Sequence, residues 1–186
     1  MAEVTRLAVP VSERDHSQGH ATAPVTLVQY GDYECPYTRR STHVVRAIQQ
    51  ELGEQLRFVF RNFPLTEIHP HALAAAVAAE AAAGQGKFWE MHDALFNHQH
   101  ALGDADLRRY AGELGLDLAR FDEDLAGHAF LARIKADVEG GLRSGVRGTP
   151  TFFINGIRHD DSWEREVLGA TLQRAREHDM KDTDHA

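Results

Sequence analysis

The chain has one cysteine, Cys35, in the segment Gly31-Asp32-Tyr33-Glu34-Cys35-Pro36-Tyr37-Thr38. The apolar run Val25-Thr26-Leu27-Val28 precedes it and a helical pattern follows, so the spacing predicts a strand, a tight turn and a helix opening at Pro36. The unpaired N–H groups and positive dipole end of that helix would face the sulfur and favour a thiolate. A nucleophile so placed attacks a disulfide, a mixed disulfide with a small thiol, or an electrophile; the bland alternative is a buried, inert cysteine acting as a small hydrophobe. Three positions on stands Thr38, not a second cysteine. Cys35 therefore cannot close an internal disulfide, and any mixed disulfide must be released by an external thiol. The Thr38 hydroxyl, on the first helical turn, either donates to the thiolate or only supports the helix. Tyr37 is expected to expose its ring beside the sulfur.

Other residues near this segment read more plainly. Asp32 and Glu34 are expected to be solvated acids near a helix N-terminus. Arg39 and Arg40 suit either a ligand carboxylate or a solvated helix face. Twelve histidines include His69-x-His71 and His98-x-His100. Residues two apart on a helix do not share a face, and no cysteine or carboxylate cluster completes a ligand set, so no metal is expected. His69 and His71 flank Pro70 at a helix start, where capping or packing near the site is the simpler reading. Nucleotide-cradling glycine motifs and a Gly-x-Ser-x-Gly elbow are missing from the sequence.

These residues need a scaffold, and 186 residues with 42% hydrophobic content can build one. Val25 to Tyr30 and Leu56 to Phe60 read as buried strands, joined by a helix carrying Val44, Val45, Ile48 and Leu52 and stopped by Gly53, which makes a βαβ unit. From about Pro70 to Gly145 the period is helical, with Asp104 and Asp117 expected to cap two of the segments. Thr151 to Ile154 restarts the sheet, Asn155-Gly156 is a hairpin turn, and Ser162 can cap a last helix that turns Trp163, Val167, Leu168 and Leu172 inward. Val4, Leu7, Val9 and Val11 suggest an extra strand within residues 1–15, and residues 179–186 read as a frayed tail.

Taken in order, Val25 to Tyr37, Phe60-Arg61-Asn62-Phe63-Pro64-Leu65, His69-Pro70-His71-Ala72, Gln85-Gly86-Lys87-Phe88-Trp89 and Gly148 to Gly156 resemble the DsbA family of thiol-disulfide oxidoreductases. The resemblance implies an α/β thioredoxin-like fold with an inserted all-helical subdomain. The thioredoxin-like part would comprise residues 16–65 and 146–178, and the insertion 66–145. It implies a cis Thr149–Pro150 bond, with Pro150 beside the nucleophile and the Thr149 backbone pairing with an extended partner. Cys35, Thr38 and Pro150 would then form the catalytic set, and Pro36, Tyr37 and Thr149 the substrate-contacting set. Gln29 stands six residues before Cys35, where many thioredoxin-like dithiol enzymes carry an acid that shuttles a proton. An amide cannot titrate. Resolving cysteine and proton shuttle are thus missing together.

The expected function is a monothiol DsbA-like oxidoreductase acting on disulfide- or thiol-bearing proteins or small molecules. It would bind no cofactor, and glutathione or another small thiol would be its co-substrate. A non-catalytic partner-binding module, a kappa-class-like glutathione transferase and a single-cysteine redox sensor are the alternatives. Lys plus Arg total 20 against 28 for Asp plus Glu, a formal charge of −8 that argues against nucleic acid or an anionic membrane as partner. Charges interrupt each apolar run near the start and no span of membrane length follows, which places the expected site of action in the cytoplasm. Oligomeric state is not legible from the sequence.

Overall fold

The computed structural model describes residues 5–183. Five strands, β1 (His16–Gln18), β2 (Val25–Gly31), β3 (Leu56–Asn62), β4 (Thr151–Ile154) and β5 (Ile157–His159), form one sheet in the order β1-β3-β2-β4-β5. Seven helices accompany them among the described residues: α1 (Pro36–Leu52), α2 (Ala72–Ala83), α3 (Phe88–Asn97), α4 (Asp104–Glu113), α5 (Leu118–Ala126), α6 (Leu131–Arg143) and α7 (Arg165–Thr183). Contacts divide the chain into two compact units. One holds the residues up to Tyr30, Arg40–Arg61 and everything from Gly140 onward; the other holds Gly31–Arg39 and Asn62–Glu139.

The first unit contains the sheet. β2 and β3 are short apolar runs buried along most of their length, as suits central strands of a covered sheet. β1 pairs antiparallel with β3, β4 antiparallel with β2, and β5 antiparallel with β4. Asn155 (φ 47°) and Gly156 (φ 78°) make the β4–β5 turn, two successive left-handed residues of the kind a two-residue hairpin requires. The expected N-terminal strand is reduced to a bridge between Arg6 and Ile157, with Leu7 N–H donating to Gly156 O and Arg158 N–H to Thr5 O. Val4 lies outside the described residues. Trp163 is not turned inward: it precedes the first helical residue of α7, is half-buried, and has the Arg40 guanidinium 5.2 Å from its ring centre. Ser162 does not cap α7 either: Glu164 holds the N-cap position, Ser162 Oγ accepts from Glu164 N–H at 3.2 Å ahead of the helix, and α7 runs on to Thr183.

A buried guanidinium organises this unit. Arg61 on β3 forms two hydrogen bonds with Asp15, and donates to Val9 O, Pro10 O and the Tyr30 hydroxyl, at 2.7–3.2 Å. Burial opposes its charge, but the bonds to Asp15 and Tyr30 more than offset that and hold its pKa above the ordinary arginine value.

The second unit is helical and is centred on α2. Eight of its nine alanine and valine positions from Ala72 to Ala82 are buried, as is Glu80, which leaves it without a polar face, and such a helix has to be interior. It touches α3, α4 and α5. Met91, Leu95, Phe96, Leu107, Tyr110, Phe121 and Ile134 are buried around it. Asp117 caps α5, accepting from Arg120 N–H at 3.0 Å. Asp104 does not cap α4: Gly103 takes the N-cap position, and Asp104 instead places its charge in the first turn, beside Asp106.

Candidate active site

Cys35 sits at the mouth of α1. Its N–H donates to Asp32 O at 3.2 Å and its carbonyl accepts from Arg39 N–H at 3.1 Å, so it occupies the N-cap position, with Pro36 as the first helical residue. The residue is only 3% exposed, whereas Tyr37 is 61% exposed. Thr38 is buried, and its hydroxyl oxygen accepts from Asp32 N–H at 3.4 Å, tying the first turn of the helix back to the loop before it.

The loop is held by side chains reaching it from the helical part of the same unit. Asp32 is buried, not solvated, contrary to the sequence expectation. Its Oδ1 accepts from Glu34 N–H (2.7 Å), the local turn typical of aspartate, and its Oδ2 accepts from Leu65 N–H (2.8 Å) and lies 2.8 Å from His69 Nδ1. Glu34 is likewise engaged, accepting from His71 N–H at 2.6 Å and lying 2.9 Å from His71 Nδ1. Gln99 Nε2 donates to both Tyr33 O (2.8 Å) and Cys35 O (2.9 Å). These bonds explain why Gly31–Arg39 groups with the helices and not with the sheet that leads into it.

Below the loop lies a buried polar layer. The Tyr33 hydroxyl is 3.0 Å from His92 Nδ1, and Phe88, Trp89 and Phe96 pack around that imidazole. Burial, followed by the charges of Glu80, Asp93 and Asp137, pushes the Tyr33 phenol well above its ordinary pKa, so it stays a neutral hydroxyl. Glu80 is paired with Arg133 and accepts from Asn62 Nδ2 at 2.8 Å, and Asp137 accepts from Asn62 N–H.

Of the residues expected at the site, Cys35, Pro36, Tyr37 and Thr38 come together here. Thr149 and Pro150 belong to the other unit, where the peptide between them is cis. Pro150 directly precedes β4, whose first residue, Thr151, pairs with Tyr30 on β2 and closes the turn by donating its hydroxyl to Gly148 O at 2.7 Å. Gln29 is buried in β2 and donates through Nε2 to Ser41 Oγ at 2.8 Å. Arg40 is occupied by Glu164. His98 stacks on Tyr110. Sequence reasoning missed Gln99, which nothing marks beyond its place between two histidines, and it missed the pairing of Asp32 and Glu34 with His69 and His71. The one available signal was the matched spacing of Asp-x-Glu and His-x-His.

A family model described as thioredoxin matches residues 11–174. The chain belongs to the thioredoxin family. Among solved structures, this thioredoxin-family chain is similar to a thioredoxin-like oxidoreductase from Silicibacter pomeroyi DSS-3, with 28% identity and a TM-score of 0.79 over 89% of this chain and 94% of that one. It also matches Wolbachia pipientis alpha-DsbA1 at 19% identity and a TM-score of 0.80, covering 95% and 98% of the two chains, which establishes the thioredoxin fold with a helical insertion. In sequence it is 51% identical over 170 residues to a Na(+)/H(+) antiporter NhaA 1 from Salinispora arenicola, covering 91% of this chain and 26% of that protein. The chain thus spans about a quarter of the length of the curated relatives it matches. Among its own described residues, no helix is long and apolar enough to cross a membrane.

Proposed function

We propose that this thioredoxin-family protein is a monothiol oxidoreductase in which Cys35 attacks a disulfide and an external thiol resolves the mixed disulfide. The observation that carries the reading is that the chain's single cysteine caps α1 in a loop fixed by Asp32, Glu34 and Gln99, with Thr38 at the position of a resolving thiol. A helix N-terminus is where thiol nucleophiles of this kind are found, and a lone nucleophile can turn over only if a second thiol arrives from solution. We assign that role to glutathione or another small thiol, supplied by a reducing compartment such as the cytoplasm. The substrate is a disulfide- or thiol-bearing protein or small molecule, which exposed Tyr37 would meet on approach. In a thiol-coupled disulfide reduction assay, Cys35→Ser should remove turnover completely; undiminished activity in that variant would sink the assignment.

The 3% exposure of Cys35 favours one further reading, a partner-binding module that does not turn over. That module would keep its partner affinity in Cys35→Ala, whereas a covalent mechanism loses trapping of the partner altogether.

A further inference from the structure

The interior helix α2 is left open along one side. Leu73, Ala74 and Val77 follow Pro70 at the spacing of a single helical face, and that stripe lines a cleft of about 680 Å³ within the helical unit. Val77 is buried there, while Leu73 remains 37% exposed. Leu125 of α5 and Leu131 of α6 extend the apolar lining. We infer that this cleft binds a small amphipathic cation, an apolar chain that ends in an ammonium or guanidinium group.

Size and backbone select a small molecule. The volume falls in the range of small-molecule sites, and the stripe from Pro70 to Val77 runs for about 10 Å, the reach of one extended alkyl chain. The walls are almost wholly helical, with their backbone N–H and C=O groups turned into the helices. An extended peptide would find no strand edge to pair with and would bury its own amides unsatisfied. A single apolar chain with one polar end carries no such cost.

Charge selects the sign of that end. Arg108 is the one arginine in the lining, and it is already committed, its Nε donating to both carboxylate oxygens of Asp122 at 3.1 Å. Asp104, in the first turn of α4, has no hydrogen-bond or ion-pair partner among the described residues. His128 is the remaining titratable group of the lining. The charge left uncompensated in the cleft is therefore negative. An ammonium group would pair with Asp104, whereas an anion would meet an unpaired carboxylate. The cleft also adjoins the support of the thiol loop, since Pro70 stands between His69 and His71, whose rings lie against Asp32 and Glu34.

The test is isothermal titration of the whole chain with octylammonium, octanol and octanoate, which share one apolar body and differ in the charge of its end. We expect octylammonium to bind at a single site, about 10-fold more tightly than octanoate and with octanol between them. Hexylammonium should bind about 10-fold more weakly than octylammonium, because each buried methylene contributes about a fourfold factor. Asp104→Asn should lower the affinity for octylammonium to that for octanol and leave octanol unchanged. Ala105→Phe, which fills the cleft from an exposed position on α4, should abolish binding of all the probes. Circular dichroism establishes that each variant is folded, with Leu73→Ser as the substitute for an Ala105→Phe that is not. Wild-type protein that binds none of the probes, or binds octanoate as tightly as octylammonium, would overturn the inference. So would hexylammonium binding as tightly as octylammonium, an Asp104→Asn variant that still prefers the cation, or a folded Ala105→Phe that keeps its affinity.

Discussion

Two buried ions organise the two units, and they are built differently. Arg61 in the sheet unit is met by Asp15, two backbone carbonyls and a tyrosine hydroxyl, and it ties down the N-terminal segment around Val9 and Pro10. Asp32 in the helical unit is met by two backbone N–H groups and an imidazole, and it ties down the loop that carries the only thiol. Both ions have their hydrogen-bonding capacity filled, as burial requires. The difference lies in the partners. The guanidinium rests on a carboxylate, two carbonyls and a hydroxyl, all within the sheet unit, and its work is structural. The carboxylate rests on an imidazole and on two backbone N–H groups, one of them in the thiol-bearing loop itself, and its work is to hold that loop in place.

The sharpest way to break this comparison is to remove each hub. Arg61→Leu leaves the Asp15 carboxylate buried without its partner, and should cost about 3–5 kcal/mol in denaturant unfolding. The exchange rate of Cys35 in the molecules that remain folded should not change, and a slowed Cys35 would show that the two hubs are not separate in function. Asp32→Asn should cost less stability, about 1–3 kcal/mol, because an amide can accept from only part of the three donors it faces. It should nevertheless slow mixed-disulfide formation strongly, and a variant with normal exchange would reduce Asp32 to a structural aspartate like any other.

Gln99→Ala sharpens the comparison further. It removes two donors from the carbonyls of Tyr33 and Cys35, so stability should fall by about 1–2 kcal/mol while hydrogen exchange of the loop amides rises; unchanged protection of Cys35 N–H would contradict the clamp. Arg40→Ala is the smallest effect. Its ion pair with Glu164 is exposed on both sides, so a change of no more than about 1 kcal/mol is expected, with Cys35 exchange intact. A marked loss of exchange would restore Arg40 as a ligand-binding residue.

Much of this architecture could be read along the chain. Val25 to Tyr30 and Leu56 to Phe60 announce themselves because central strands are continuous apolar runs. Asn155-Gly156 does so because few residue pairs accept two left-handed conformations, and Asp117 because capping is a local rule. The place of Cys35 before Pro36 fixed the nucleophile on a helix end for the same reason. What failed was whatever depends on distant partners. Asp32 and Glu34 meet His69 and His71 across 37 residues, and residue type alone cannot tell a solvated acid from one buried against an imidazole. Gln99 carries no signal in its own neighbourhood. Asp104 failed for a local reason: glycine ahead of it had already taken the cap.

The most direct test of the central claim is to incubate reduced, native protein with glutathione disulfide and weigh it intact. The account predicts one glutathionyl group on Cys35, removed by excess reduced thiol and never formed on Cys35→Ser. A native protein that stays unmodified while its unfolded form takes the adduct readily would show an inert, buried cysteine and contradict the account.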